Sequence, residues 1–110
     1  MNARYTVTLT REAIDDIDGI RAYLVDHRSV EAADDLIDTI VAAVATLETF
    51  PMRGVVPKEL AAVGERDFRQ LNLGPYRLIY YIVETMVAVT LVVDGRRDLP
   101  ELLARRLLAR

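Results

Sequence analysis

The chain contains no cysteine and a single histidine among its 110 residues. The absence of cysteine excludes disulfides, thiolate metal sites and a cysteine nucleophile, and a lone histidine cannot build a histidine-rich metal site. The amino-terminal residues lack a signal-peptide pattern, and no later apolar run approaches the ~18 uncharged residues of a membrane helix. We therefore expect a soluble, cytoplasmic protein that uses neither a metal nor another cofactor.

Hydrophobic residues make up 52% of the chain, which suits one compact domain over residues 1–110. The net charge is −3, but residues 1–50 hold ten acids and four bases whereas residues 51–110 hold seven acids and ten bases. This asymmetry suits either a basic working surface or an ordinary solvated helix face in the first half. A pI of about 5.1 argues against a general nucleic-acid-binding protein.

Two helices near the amino terminus are indicated by apolar residues at helical spacing, each preceded by an N-cap residue, Thr10 and Ser29. Their short link predicts an antiparallel helical hairpin. After Pro51 the periodicity changes to that of strands, and leucines recur helically after Pro100. The predicted fold class is α+β: an antiparallel sheet of about four strands, covered on one face by the hairpin, with a carboxyl-terminal helix. The predicted strands are 4–9, 66–73, 76–84 and 86–94, and the hairpin helices are 11–26 and 30–49.

Two runs in the second half, FRQLNLGPYRLIYYI and VAVTLVVDGRRDL, resemble the strand core of the RelE/ParE toxin superfamily. AIDDIDGIRAYL and the ending LETFPMRG resemble the amino-terminal half of ParE-like members. The resemblance covers nearly the whole chain. It implies the toxin of a type II toxin–antitoxin system of the plasmid-stabilisation kind, neutralised by a cognate ParD-like antitoxin, with no membrane partner and with DNA bound only through the antitoxin complex. The mean hydropathy of +0.16 suggests apolar surface left for such a partner.

The superfamily divides by mechanism, since RelE-like members cut mRNA in the ribosome and ParE-like members poison DNA gyrase. A metal-free ribonuclease needs a base, an acid and cations around the phosphate. The resemblance places Phe68 and Gln70 where RelE-like enzymes carry lysines, Arg77 and Arg97 at their arginine positions, and Leu103 at or near their tyrosine. Because the proton-transfer groups are missing, we favour a gyrase inhibitor that acts by binding. A RelE-like ribosome-dependent endoribonuclease is the alternative, and a decayed toxin that only binds antitoxin is a third.

Two titratable residues could substitute for the missing base, His27 and Asp94. His27 lies in the predicted link between the helices and is better explained as a solvent-exposed cap. Asp94 is better explained as the ion-pair partner of Arg96 or Arg97. No catalytic residue is therefore assigned.

Four arginines are the candidates for binding the target: Arg69, Arg77, Arg96 and Arg97. Each could instead brace the sheet through neighbouring carboxylates, namely Glu65, Asp67, Asp94 and Asp98. For Arg77, between tyrosines, the two interpretations are evenly balanced. The arginines at 96 and 97 are the better functional candidates because strand ends usually carry sites. Three tyrosines of the same region could stack on a base, but packing in the sheet explains them better: Tyr76, Tyr80 and Tyr81.

Overall fold

The computed structural model describes residues 4–96 and 99–108. Four strands, a helical hairpin and a terminal helix are present as predicted, and two short helical turns lie between the hairpin and the second strand. The elements are β1 (Thr6–Leu9), α1 (Arg11–His27), α2 (Val30–Leu47), a 3-10 turn (Pro51–Arg53), α3 (Lys58–Ala61), β2 (Phe68–Leu73), β3 (Tyr76–Val83), β4 (Met86–Asp94), and α4 (Leu99–Leu103), which continues as one π-helical turn (Ala104–Leu108). None of the helices in the described ranges is long and apolar enough to cross a membrane.

Both hairpin helices begin at the predicted caps. The Thr10 hydroxyl accepts a hydrogen bond of 3.2 Å from the backbone N–H of Ala13, and the Ser29 hydroxyl accepts one of 3.0 Å from the backbone N–H of Ala32. These bonds satisfy amide groups that have no partner within the first turn of a helix. The hairpin then buries one apolar stripe from each helix: Ala13, Ile17, Leu24, Ala33, Leu36, Ile40, Ala43 and Leu47.

The four strands form one sheet in the order β1-β4-β3-β2. The β2–β3 and β3–β4 pairs are antiparallel, as their short turns require, and Gly74 takes a φ of +63° in the first of these turns. The β1–β4 pair is parallel. The expectation of a wholly antiparallel sheet is thus wrong at this edge. No hairpin links β1 to β4, because both helices and two strands separate them, so no turn fixes their relative direction.

The sheet has an apolar core on each face. The hairpin packs on one face against Leu71, Leu78 and Tyr80, and this is the hairpin-side core. The terminal helix and α3 cover the other face with Leu60, Leu99 and Leu103, which form the outer core with Ile79, Leu91 and Val93. Burial on both faces explains the almost continuous apolar sequence of β4.

A β-bulge in β4 changes which side chains face each core. Tyr80 pairs with Val89 and Ile79 pairs with Leu91, so Thr90 has no counterpart on β3. Side chains alternate between the faces of a strand, and one extra residue reverses that alternation. As a result Val89 belongs to the hairpin-side core and Leu91 to the outer core, two residues later.

Candidate functional site

Arg77, a candidate for target binding, is held in an ion pair inside the fold. Its guanidinium nitrogens Nη1 and Nη2 lie 2.9 and 3.0 Å from the two carboxylate oxygens of Glu59 on α3, and Nη1 also donates to the Gln70 side chain at 3.0 Å. The side chains of Arg77 and Glu59 are only 15% and 11% exposed. A two-pronged pair of this kind is among the stronger charged hydrogen-bond arrangements. The geometry supports the bracing interpretation of Arg77.

Glu59 stays ionised in this pair. Burial by itself would raise the pKa of the carboxyl, but hydrogen bonds from Arg77 and the backbone, with the positive charges of Arg77 and Lys58, lower it, and the net pKa lies below its ordinary value. The charge of Arg77 is therefore matched by a full negative charge. Glu59 was not singled out from the sequence, since it lies in the loop region before β2.

The other positions aligned with nuclease residues are also occupied by packing or hydrogen-bonded groups. Phe68 makes an edge contact with Tyr81, their ring centroids 5.8 Å apart, and packs on the outer core. Leu103 is completely buried in that core. Gln70 accepts from Arg77. This part of the sheet therefore presents a closed, charge-balanced cluster.

At the end of β4, Arg96 is paired with Asp94, as predicted. Arg96 Nε and Nη2 lie 2.9 and 2.6 Å from the two carboxylate oxygens of Asp94, and the Arg96 amide donates to the same carboxylate at 2.9 Å. The hydrogen bond and charge of Asp94 raise the pKa of the guanidinium. Because the Arg96 side chain remains 77% exposed, its charge still faces solvent. Arg97, the other candidate here, lies outside the described residues.

His27 is the last residue of α1, so it does not lie in the link as predicted, and Arg28 occupies the C-cap position; the predicted exposure of His27 is confirmed. Its Nδ1 atom lies 3.1 Å from the carbonyl oxygen of Tyr23, and the two rings stack with centroids 4.1 Å apart. In the described part of the chain, no three histidine, cysteine, aspartate or glutamate side chains are grouped so as to hold a metal ion.

A groove of about 1010 Å³ lies between the hairpin, the second half of β4 and the terminal helix. Its floor includes an open strand edge, because β1 pairs with β4 only as far as Val89. Tyr76, which lines the groove, has a raised pKa, chiefly because of burial and next because of the Asp94 charge. Aromatic, apolar and charged side chains thus meet along one concave surface.

The open edge is capped by an ion pair between α1 and the terminal helix. Arg106 Nη1 and Nη2 lie 3.1 and 3.0 Å from the Asp16 carboxylate, and Nη2 also donates to the carbonyl of Thr90 at 3.2 Å. The Asp16 carboxylate also accepts a hydrogen bond of 3.1 Å from the backbone N–H of Val92. These bonds satisfy the backbone groups around the bulge. Arg106, which sequence analysis would explain as a helix-end charge, instead fixes the terminal helix to the sheet.

The loop before α3 is tied to the sheet by Tyr80 and Arg69. Tyr80 is fully buried. Its hydroxyl donates a hydrogen bond of 2.7 Å to the carbonyl of Pro51 and accepts one of 3.0 Å from the backbone N–H of Gly54. Arg69 Nη1 donates to the carbonyls of Met52 and Gly54 at 3.2 and 2.7 Å. Burial raises the pKa of the Tyr80 phenol, so it remains a hydrogen-bond donor. Arg69, a candidate for target binding, therefore braces this loop by donating to the loop's backbone carbonyls. The sequence predicted a carboxylate as the partner if Arg69 had a bracing role.

Comparison with known proteins identifies the family. The model of the family described as "ParE toxin of type II toxin-antitoxin system, parDE" matches residues 7–99. A solved structure of the chromosomal ParDE TA system from P. aeruginosa has a TM-score of 0.67 with 19% sequence identity, covering 83% of this chain and 96% of that chain. At this identity the likeness establishes the fold. No curated protein matches the chain. Since the family model spans most of the sequence, the chain belongs to the ParE toxin family of type II toxin–antitoxin systems.

Proposed function

We propose that this chain is a toxin that inhibits DNA gyrase by binding, without catalysing a reaction, and that a cognate ParD-like antitoxin neutralises it in the cytoplasm. The proposal of gyrase, and not the ribosome, as the target rests on the closed cluster around Arg77. A ribonuclease must direct cations at the phosphate and hold a base near the ribose hydroxyl. Here the Arg77 charge is matched by Glu59, and Phe68 and Leu103 pack in an apolar core.

The experiment is a supercoiling gel with purified gyrase beside a primer-extension assay on translating ribosomes, both with the purified full-length chain. We expect gyrase inhibition and no new mRNA ends. Cleaved mRNA with unaffected gyrase would replace the proposal with the RelE-like endoribonuclease alternative. Activity in neither assay, in a strain whose growth the chain does not arrest, would favour a decayed toxin.

Antitoxin binding is supported by the groove along the open half of β4. It offers apolar and aromatic side chains, among them Ile20, Tyr23 and Leu102, next to charges of both signs. A concave surface of this mixed character suits an extended or helical protein segment. We expect the product of an adjacent gene, with a DNA-binding amino-terminal part, to co-purify with the chain. A chain that remains monodisperse and never retains this neighbour on co-expression would contradict the proposal.

Arg96 and Arg97 are proposed as charged contacts with the target. Arg96 is exposed and its guanidinium is oriented by Asp94, so it offers a fixed fork of donors to an acidic surface. Arg96→Ala combined with Arg97→Ala is expected to abolish growth arrest without changing the thermal melt, while His27→Ala leaves it largely intact. If Asp94→Asn abolishes growth arrest while Arg96→Ala retains it, both with an unchanged melt, proton transfer regains support, because loss of the Arg96 orientation would affect both variants.

A further inference from the structure

Three large apolar side chains project into solvent from the loop that joins the hairpin to α3. Phe50, Met52 and Val55 are 62%, 61% and 60% exposed. They belong to the segment from Thr49 to Lys58, which ends on the first residue of α3 and is here named the anchored loop. Exposed apolar side chains clustered in one short segment are a recurrent feature of protein-binding surfaces.

The backbone beneath these side chains is held rigidly. Tyr80 and Arg69 make the four hydrogen bonds to the loop described above. Val55 and Gln70 also exchange a pair of backbone hydrogen bonds of 3.2 and 2.7 Å, which attach the loop to the outer edge of β2. A loop that is already ordered loses little conformational entropy on binding, so its exposed side chains contribute more of their burial energy to affinity.

The charges of the anchored loop have one sign. It contains two exposed bases, Arg53 and Lys58, and no acidic residue. Glu48, just before it, is half-buried, and the charge of Glu59, just after it, is matched by Arg77. Arg69 adds a third positive charge beneath the loop carbonyls. The complementary surface is an apolar pocket bordered by carboxylates, since opposite charges around an apolar centre favour association and like charges oppose it.

We propose that the anchored loop is a docking surface for the toxin's target protein, with Phe50 and Met52 entering an apolar pocket whose rim is acidic. This inference rests on the proposed function and adds an apolar contact to the charged one at Arg96. The antitoxin groove is formed by other residues, so the two surfaces are separate.

A second copy of the chain fits this surface less well. In a symmetric dimer the same patch meets itself, so Arg53 and Lys58 would face their own counterparts.

The test uses two double variants of the chain. The loop variant carries Phe50→Ser and Met52→Ser together, and the matched control carries Val41→Ser and Val83→Ser together. The control residues are 61% and 48% exposed and lie on α2 and at the end of β3. Affinity for purified gyrase, growth arrest on induction and thermal melting are measured for each. We expect the loop variant to bind gyrase at least roughly tenfold more weakly and to lose growth arrest, with an unchanged melt. The control should behave as wild type. Arg53→Glu should weaken binding while Arg53→Lys preserves it.

Each further outcome decides between the two proposals. If wild type arrests growth without binding gyrase and the loop variant does not arrest growth, the gyrase assignment fails and the docking surface stands. A folded loop variant that is as toxic as wild type overturns the docking surface. It is also overturned if wild type sediments as a dimer that the loop variant abolishes, because a second copy is then the occupant. A wild-type chain that neither binds gyrase nor arrests growth overturns both.

Discussion

Removing one partner of the Glu59–Arg77 pair is expected to destabilise the protein more than removing both. Arg77→Met leaves a carboxylate that is mostly buried and has lost its two-pronged partner. Breaking a fully buried pair in this way costs about 3–5 kcal/mol. Because both side chains keep some contact with solvent, we expect about 2–3 kcal/mol here. The double variant Glu59→Met with Arg77→Met replaces the pair by apolar groups and should lie within about 1 kcal/mol of wild type.

Thermal melting converts these energies into measurable shifts. The unfolding entropy near the midpoint is about 2.1 cal/mol/K per residue, or roughly 0.23 kcal/mol/K for 110 residues. Arg77→Met should therefore lower Tm by about 10 °C, and the double variant by less than about 5 °C. If Arg77 only braces the fold, the double variant should also arrest growth like wild type. A double variant that melts normally but is not toxic would refute this reasoning and make Arg77 a target-binding residue.

Three further predictions concern stability. Asp16→Ala and Arg106→Ala should show a coupling energy of about 1–2 kcal/mol in a double-mutant cycle of denaturant unfolding, whereas additive effects would contradict the ion pair. Because the folded-state pKa of Glu59 is below its ordinary value of 4.5, its stabilisation should be complete above that value and lost as pH falls through the lowered pKa. In Glu59→Gln, the free energy of unfolding should accordingly fall less steeply than in wild type as the pH is lowered. Gly54→Ala should cost about 2 kcal/mol in a thermal melt, since an added Cβ would lie 2.5 Å from the Tyr80 hydroxyl and 2.8 Å from the Gln70 carbonyl; an unchanged melt would show that the loop can shift.

The helices and strands follow closely from local sequence signals. Thr10 and Ser29 mark the starts of α1 and α2 because each caps amides only three residues ahead, which a linear reading can detect. The antiparallel strand pairs follow from turns of two residues. The direction of β1 beside β4 could not be predicted in this way, because it depends on packing between segments far apart in the sequence.

The contacts of the candidate site were harder to predict for the same reason. Acidic residues both precede and follow Arg77 in the sequence, and only the fold shows that Glu59 on α3 is its partner. Asp16 and Arg106 meet across almost the entire chain. The pairing of Arg96 with Asp94 was predictable because only one residue separates them.

The bulge at Thr90 gives β4 one position at which the strand can be shortened without exchanging its two faces. Deleting Thr90 would remove the residue that has no counterpart on β3, so that Leu91 would follow Val89 directly and ordinary alternation would keep Leu91 in the outer core and Val92 in the hairpin-side core. Deleting a paired residue such as Val92 would instead move Val93 from the outer core to the hairpin side. A scan of single-residue deletions through β4 should therefore find position 90 more tolerant than the paired positions around it, because the strand would lose its bulge there and keep its pattern of burial.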